Sequence, residues 1–440
     1  MKNLFIRSAL AALFFVFFTS KAFAGFNPPE KYLVEYKLRY SYSVDSLKNF
    51  WKKKRIPSVI TGVHNAVDMY EITYKGLWID SSFIIAKGVL YVPKLDKPMA
   101  EMVYCHGTRI SLEQGYGIQD DEQLICMMHA TDGYVAMFPF YYGLGGGEKE
   151  HVYHDAWSES MSVIYMIKAC RELLPQLGKQ TTGQLFVTGY SQGGHASMAT
   201  HKMLESGNFP EIQLTASSPM AGAYDLTGVQ AKTMFEHYDR PHYLPYLLIS
   251  YQYAYHVIPG DVYSVFKPPF DKDIPKYFAQ PRTVDYGYLD KILPKVPKDM
   301  ISDSLVEVFR TDTNFVFTKM LKKNSLYNWV PKAPMQLCAC KGDNEVLYQN
   351  TEVAYAYMHQ RTDQVHLKLF GKYLAHNPCA PFAIIYTKYF FDNIREGKKH
   401  ITKVPFGKRF LLSIAIAQGN SKGRKIKRKT GGNVQNYTIR

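Results

Sequence analysis

The stretch 185-LFVTGYSQGGHASM-198 decides the fold of this chain. It begins with an apolar, strand-like run and contains the pattern Gly-x-Ser-x-Gly at residues 189–193. On a sharp strand-to-helix turn of this kind the serine hydroxyl projects above the sheet, and small residues on either side let the backbone pass. The following Gly-Gly-His-Ala starts a helix whose N-terminal amides favour a developing negative charge. We therefore predict a nucleophile elbow with Ser191 as the nucleophile.

On both sides of this stretch, strand-like and helical patterns alternate. Helical patterns cover residues 45–54, 121–130 and 155–174. Runs rich in Val, Phe, Tyr and Met predict strands at residues 67–74, 84–93, 101–105, 134–138, 185–188, 213–216, 335–340 and 365–370. Such alternation implies right-handed crossovers and a mostly parallel sheet. The predicted class is α/β, specifically an α/β-hydrolase fold whose mostly parallel central sheet carries a helical lid or cap insertion.

The insertion is predicted at residues 228–332, where the alternation stops and Tyr, Phe and Pro become frequent. It divides the α/β-hydrolase core into a first part, residues 25–227, and a second part, residues 333–397, that holds the acid and the histidine. The tyrosines of the insertion fit either a packed core or an apolar wall for an acyl chain. Both interpretations stay open at this point.

The first 24 residues have the layout of a signal peptide. Lys2 and Arg7 give a positive start, residues 8–18 are apolar, and residues 22–24 (Ala-Phe-Ala) offer a cleavage site before Gly25. The apolar run is much shorter than the ~20 residues that cross a bilayer. We therefore predict a cleaved signal peptide and a secreted or periplasmic protein.

The net charge of +15 comes from the two ends of the chain. Three positive residues lie in the first 24, and twelve lie after residue 397, where no acidic residue occurs. The body is balanced, so we expect no nucleic-acid partner. We predict that the basic tail, residues 398–440, is disordered. The alternative is binding to an anionic membrane surface through a cluster of cations, Lys422, Arg424, Lys425, Lys427, Arg428 and Lys429.

A serine nucleophile needs a base, and in this fold the acid and the histidine follow the serine along the chain. His376 lies in a predicted loop just beyond the last strand, whereas His366 lies inside that strand. Asp343 follows the preceding strand and can orient the imidazole. Glu345, two residues further on, and Asp225, before the insertion, are the alternative acids. We predict His376 as the base and Asp343 as its partner.

The oxyanion of the reaction needs two hydrogen-bond donors. One is predicted to be the backbone N–H of Gln192, directly after the nucleophile. The second is assigned to the backbone N–H of Thr108, in the His-Gly-Thr sequence after the strand at residues 101–105, with Arg109 as the fallback. Loss of one such donor typically costs about 10²–10³ in rate.

No cofactor and no metal are expected. The glycine-rich residues 143–147 lack the Gly-Lys-Ser/Thr of a phosphate-binding loop. His151 and His154 flank a helix start and are interpreted as structural, because no carboxylate partner makes them a metal site.

Six cysteines occur, none in a CxxC or zinc-type spacing, at positions Cys105, Cys126, Cys170, Cys338, Cys340 and Cys379. Export permits disulfides. Cys338 or Cys340 could pair with Cys379, and buried free thiols are the alternative.

Several of these strings resemble the secretory lipase (lipase-A-like) family of α/β hydrolases. The spacings of 152 residues from Ser191 to Asp343 and 33 from there to His376 are similar to that family, as are residues 133–145 (GYVAMFPFYYGLG). His151, Tyr153 and His154 resemble its H-P-Y-x-H, and Asp343, Val346 and residues 348–350 resemble its D-x-x-V-P-Y-Q-N. Phe140 stands where the family usually has Asp, and Leu347 where it usually has Pro. The resemblance covers about residues 67–393.

The resemblance implies a Ser191–His376–Asp343 triad, a helical lid and hydrolysis of carboxylic esters, often lipid or acyl esters. The predicted function is therefore a serine esterase or lipase whose partner is a small-molecule or lipid ester. A serine peptidase of the same fold, acting on small peptides, is the first alternative. A binding protein that kept the fold and lost the chemistry is the second.

Overall fold

The computed structural model describes residues 29–58, 61–112, 115–278 and 286–429. The predicted signal peptide lies outside these residues. Within them, nine strands form one sheet in the order β1-β2-β3-β5-β4-β6-β7-β8-β9. The strands are β1 (Leu33–Tyr42), β2 (Val67–Leu77), β3 (Phe83–Pro93), β4 (Met99–Cys105), β5 (Tyr134–Pro139), β6 (Thr181–Tyr190), β7 (Ala216–Met220), β8 (Met335–Ala339) and β9 (Val365–Leu369).

The sheet has an antiparallel side and a parallel side. β1 pairs with β2, β2 with β3 and β3 with β5 in antiparallel register. From β5 through β4, β6, β7 and β8 to β9, every pairing is parallel. The expected mostly parallel α/β-hydrolase fold is therefore confirmed. The carboxyl ends of β4, β6, β8 and β9 lie at one edge of the sheet, where a site in such a fold is expected.

Helices cover both faces of the sheet. They are α1 (Val44–Lys53), α2 (Gln123–Thr131), α3 (Ala156–Leu173), α4 (Gln192–Leu204), α5 (Tyr243–Tyr255), α6 (Phe270–Phe278), α7 (Tyr286–Ile292), α8 (Asp303–Thr311), α9 (Val316–Lys323), α10 (Gln349–His359), α11 (His376–Arg395) and α12 (Phe406–Lys429). α3, α4 and α10 lie on one face. α2 and α11 lie on the other, where Tyr134 of β5 donates to Asp392 of α11 at 2.9 Å. The strands between them are buried on both sides, as their continuous apolar runs require.

Two sequence-based predictions are wrong. The strand expected at residues 213–216 lies at Ala216–Met220, where Ala-Ser-Ser-Pro-Met carries few strand-favouring side chains. The tail expected to be disordered contains the helix α12, which is ordered because one of its faces packs on the body. Residues 430–440 lie outside the described residues. In the described chain, no helix is long and apolar enough to span a bilayer.

The segment expected as a helical insertion, residues 228–332, contains α5 to α9. Its aromatic side chains are divided between core and surface. Tyr246 and Tyr251 are fully buried, whereas Tyr253 and Tyr288 are exposed.

Candidate active site

Ser191 stands on a tight turn between β6 and α4. Its backbone has φ 62° and ψ −122°, a strained conformation for a residue other than glycine. The turn is crowded: a Cβ on Gly189 or Gly193 would collide with the backbone carbonyl of Cys105 at the end of β4. The two glycines of the motif are therefore required by the close approach of the turn to the end of β4. The turn holds the Ser191 side chain at the edge of the sheet, with 9% of the residue exposed.

His376 and Asp343 are in direct contact. His376 Nδ1 lies 2.7 Å from Oδ2 of Asp343, and both side chains are buried. The other carboxylate oxygen, Oδ1, accepts the backbone N–H groups of Glu345 and Val346, each at 3.0 Å. Burial lowers the pKa of His376, but the carboxylates of Asp343 and Glu345 outweigh it and raise this pKa above its ordinary value. The geometry leaves Nε2 of His376 as the nitrogen that can exchange a proton with a neighbour.

The alternative acids and the alternative histidine make their contacts elsewhere. The carboxylate of Glu345 accepts from Arg240 Nη2 at 2.9 Å. Asp225 Oδ1 accepts the backbone N–H of Gly228 at 2.8 Å and thereby closes a local turn. His366 lies on β9, as expected. Of the three acids considered, the structure brings Asp343 to His376.

His376 differs from expectation in its local structure, because it is the first residue of α11 and not part of a loop. A disulfide between Cys340 and Cys379 joins the segment after β8 to the first turn of this helix. Cys340 precedes Asp343 by three residues, and Cys379 follows His376 by three. The bridge thus connects the two short segments that carry the acid and the imidazole. It is one of the two pairings that the sequence left open.

The loop after β4 lies opposite the elbow and is held from several sides. The N–H of Gly107 donates to Oε1 of Glu122 at 2.7 Å, and the Thr108 hydroxyl lies 3.0 Å from that of Tyr153. In the described part of the chain, the backbone N–H groups of Thr108 and Gln192 have no protein acceptor. The Arg109 side chain pairs with Asp120 at 2.7 Å, so only its backbone could serve as a donor.

A cavity of about 570 Å³ lies where the elbow, the loop after β4 and the start of α11 meet. Ser191, His376 and Thr108 line it. Between the described residues, no hydrogen bond joins the Ser191 hydroxyl to His376; such bonds are often long before a substrate binds. The segment 228–332 covers the cavity with four side chains, those of Arg240, His242, Tyr243 and Tyr286.

A buried polar network beneath the elbow was not predicted. Gln192 Nε2 donates to Oε1 of Glu159 at 2.8 Å, and Oε2 of Glu159 lies 2.7 Å from Nδ1 of His195. His195 Nε2 lies 2.8 Å from the carbonyl oxygen of Asn324. Both ring nitrogens of His195 therefore face acceptors. Although burial lowers the pKa of His195, Glu159 raises it above the ordinary value, as expected for an imidazolium–carboxylate pair.

Contrary to expectation, the network places a carboxylate near His154. Donor atoms of His154, Glu159 and His195 lie within 4.8 Å of one another, a grouping that a metal ion could use. The 2.7 Å separation of Glu159 and His195 is that of a hydrogen bond. The hydrogen-bonded His195 has no ring nitrogen left for an ion, so the residues fit a structural network better than a metal centre.

Tyr190, the variable residue before Ser191, was also not predicted to belong to the site. Its hydroxyl donates to the backbone carbonyl of His376 at 2.7 Å, and the two rings lie 4.8 Å apart. Its position in the Gly-x-Ser-x-Gly motif was the only signal in the sequence. Tyr190 links the elbow directly to the first residue of α11.

Comparisons with known proteins agree with this architecture. No protein-family model and no curated protein sequence matches the chain. Among solved structures it is similar to a presumed hydrolase from Legionella pneumophila, with 26% identity and a TM-score of 0.75 over 83% of this chain and 98% of that one. It is also similar to the rice cell wall degrading esterase LipA from Xanthomonas oryzae, with 25% identity and a TM-score of 0.71 over 82% and 96%.

A third similar structure is Candida antarctica lipase A, with 12% identity and a TM-score of 0.65 over 90% of this chain and 91% of that one. At this identity the likeness concerns the fold alone. Together the three structures confirm the resemblance to lipase-A-like α/β hydrolases that the sequence motifs indicated.

Proposed function

We propose that this α/β hydrolase is an exported serine esterase or lipase that cleaves carboxylic esters through an acyl-enzyme. One observation supports the proposal above all others. Ser191, on a strained turn, shares a cavity with His376, whose Nδ1 is held by Asp343. A serine at such a turn beside an oriented imidazole is the arrangement that activates a weak nucleophile.

The proposed reaction has two halves. Ser191 Oγ attacks the ester carbonyl carbon while its proton passes to Nε2 of His376, and Asp343 stabilises the imidazolium that forms. Collapse of the tetrahedral intermediate breaks the ester C–O bond, and the leaving alcohol takes the proton from His376. Water then repeats the sequence on the acyl-enzyme and releases the acid.

The developing oxyanion is assigned to the backbone N–H groups of Gln192 and Thr108, which have no acceptor within the described protein. The position of the first is fixed by the Glu159 network beneath the elbow. The position of the second is fixed by the Thr108–Tyr153 contact and the neighbouring Gly107–Glu122 bond. Donors held in place before the reaction pay little reorganisation cost during it.

An acyl ester is the preferred substrate class, because a second, mostly apolar cavity lies beside the first. This cavity, about 80 Å³, is lined mainly by apolar side chains of the insertion, and Tyr243 borders both cavities. Three acids line the larger cavity, and each is paired with a cation: Glu345 with Arg240, Glu122 with Arg109, and Asp121 with Lys54. No observation therefore favours the recognition of a free amine by a peptidase.

Export is proposed from the layout of the first 24 residues and from the Cys340–Cys379 disulfide, since structural disulfides persist in oxidising compartments. Protein recovered from the culture medium or the periplasm should begin at Gly25. A chain that stays in the cytoplasm with Met1 retained would contradict export without affecting the proposed chemistry.

The nucleophile is tested with a fluorophosphonate probe. The Ser191→Ala variant should lose labelling and at least about 10⁴-fold in kcat on nitrophenyl esters. Ser206→Ala is the control, because Ser206 is exposed beyond the end of α4. Labelling that persists in Ser191→Ala means that another serine reacts.

The substrate class is tested by comparing nitrophenyl esters of increasing acyl length with aminoacyl-nitroanilides. We expect measurable kcat/KM on the esters and none on the anilides. Comparable rates on both would favour the peptidase alternative, and activity on neither, without labelling, would favour the binding protein.

A further inference from the structure

The C-terminal helix α12 exposes large apolar side chains to solvent. Phe406 is 76% exposed and Phe410 60%, and both Leu411 and Ile414 are more than 40% exposed. Phe406, Phe410 and Ile414 follow one another at four-residue spacing, so they lie on one side of the helix. Exposed aromatic residues grouped in this way are uncommon on a soluble surface and mark an interaction site.

The opposite side of α12 is the one that packs on the body. Leu412, Gly419 and Gly423 are its buried residues and lie roughly opposite Phe410 on the helix. Asn420, on the flank between this side and the apolar stripe, accepts the backbone N–H of Tyr373 at 2.8 Å. α12 is therefore docked through Leu412, Ile416 and small residues, while a second group of apolar side chains points away from the core.

The last turns of α12 are strongly basic. Arg424 and Arg428 continue the line of Phe406 and Phe410, because 18 helical residues correspond to five complete turns. Lys425, Lys427 and Lys429 are also exposed. No acidic residue follows Glu396 in the sequence. The outward side of the helix thus passes from apolar to cationic along its length.

A basic groove runs along one flank of the same helix. This cavity of about 670 Å³ lies between α12 and the end of β9 and is lined by Lys368, Lys372, Lys403 and Arg409. None of its lining residues is acidic, and within the described chain these four cations form no ion pair with a carboxylate. The groove can therefore accept an anionic group beside the apolar stripe.

From these observations we propose that α12 binds flat on an anionic phospholipid membrane, with Phe406, Phe410 and Ile414 inserted among the lipids. The basic turns and the groove then face the phosphate groups. An apolar stripe joined to a cationic segment is typical of helices that lie in the membrane interface. A second copy of the chain is a poorer occupant, because two such basic helices repel each other. A helix of 24 residues is about 36 Å long, enough for both contacts.

The proposal is tested with the full-length purified protein and vesicles of phosphatidylcholine with 30 mol% phosphatidylglycerol or without it. We expect sedimentation with the anionic vesicles and little with the neutral ones. Phe406→Ser/Phe410→Ser/Ile414→Ser should weaken binding at least tenfold. Arg424→Gln/Lys425→Gln/Arg428→Gln should weaken it about 100-fold at low ionic strength, since each cation near the surface contributes about fivefold.

Matched controls come from other parts of the surface. Tyr36→Ser/Leu38→Ser removes exposed apolar side chains of β1, and Lys48→Gln/Lys52→Gln/Lys53→Gln removes three exposed cations of α1. Both should bind vesicles like the wild type. All variants should keep the wild-type melting temperature and ester hydrolysis in solution, which separates this test from that of the proposed function.

Three results would overturn the proposal. The first is equal binding to neutral and anionic vesicles. The second is vesicle binding that is unchanged by the serine substitutions in α12. The third is a dimer in solution, seen by light scattering, that Phe406→Ser/Phe410→Ser/Ile414→Ser converts to a monomer, because the stripe would then be an interface between copies.

Discussion

The turn that carries Ser191 and the segments that carry Asp343 and His376 are held in place in different ways. The turn is local: within five residues, two glycines let the backbone of β6 and α4 pass the carbonyl of Cys105. Asp343 and His376 are 33 residues apart and are held by contacts between separate elements. The Cys340–Cys379 bridge joins the segments that carry them, and the Tyr190 hydroxyl donates to the backbone carbonyl of His376.

The difference has a consequence for what each region tolerates. A local turn fixed by steric exclusion fails as a unit when one atom is added, because neighbouring backbone cannot move away. A pair held by several distant contacts loses catalysis or stability in steps as those contacts are removed one by one. The two regions should therefore respond to substitution with different magnitudes and in different measurements.

The largest effect is expected at the elbow. Gly193→Ala adds a methyl group that collides with the Cys105 carbonyl, and no flexible side chain can yield. We expect a loss of at least about 3 kcal/mol in the free energy of unfolding, with little folded protein recovered. Gly407→Ala is the control, because a Cβ there meets nothing within 4 Å; its unfolding free energy should stay within about 1 kcal/mol. A folded, active Gly193→Ala enzyme would refute the steric account.

Replacement of Asp343 should lower kcat without changing the fold. Asp343→Asn keeps the shape of the side chain but favours the wrong tautomer of His376, so kcat should fall about 10³–10⁴-fold. Circular dichroism and the melting temperature should change little. Glu345→Gln, the isosteric change at the neighbouring acid, should lose less than tenfold at pH 8. Equal losses in the two variants would mean that Asp343 has no special role.

The disulfide should affect stability more than chemistry. Cys340→Ser/Cys379→Ser opens a loop of 39 residues, which predicts a loss of about 3–4 kcal/mol in unfolding free energy. We expect kcat to fall about tenfold, because the Asp343–His376 contact persists but is less well held. Cys338→Ala removes a buried free thiol two residues away and is the control. If the double variant keeps full stability, the bridge does not organise this region.

The same contrast explains what could be read from the sequence. The sheet and the elbow can be predicted from short sequence patterns, because strand-like and helical runs alternate and residues 185–198 alone indicate the turn. The start of α11 at His376 and the choice of Cys340 over Cys338 depend on contacts between elements far apart in the chain. β1 was not predicted, although Val34, Tyr36 and Leu38 alternate along it, because its side chains remain exposed at the edge of the sheet.

The helical structure of α12 could not be predicted from the sequence for a related reason. Its composition is that of a basic, disordered segment, and its helical state depends on packing through Leu412 and on the Asn420–Tyr373 bond. Such contacts have no signature in a single sequence. The Glu159 network could not be predicted either. In the sequence of an amphipathic helix, a carboxylate that becomes buried cannot be distinguished from one that stays exposed.

The smallest expected effect concerns pH. The pKa of His376 is raised above its ordinary value because two nearby carboxylates, Asp343 and Glu345, outweigh the effect of burial. Since only the neutral imidazole can accept the serine proton, kcat/KM should fall as the pH drops through a midpoint above about 6.5.

Glu345→Gln removes one of these negative charges while the bond from His376 to Asp343 remains. The imidazolium is then less stabilised, and the Arg240 guanidinium, which lowers the pKa of His376, loses a partner. Both changes move the midpoint of the acid limb to lower pH, so the variant should retain more of its maximal kcat/KM at pH 6 than the wild type. Asp96→Asn, at a fully exposed carboxylate, should leave the midpoint unchanged. A Glu345→Gln midpoint equal to that of the wild type would show that the charge of Glu345 does not affect the pKa of His376, and a higher midpoint would contradict the stated sign of its effect.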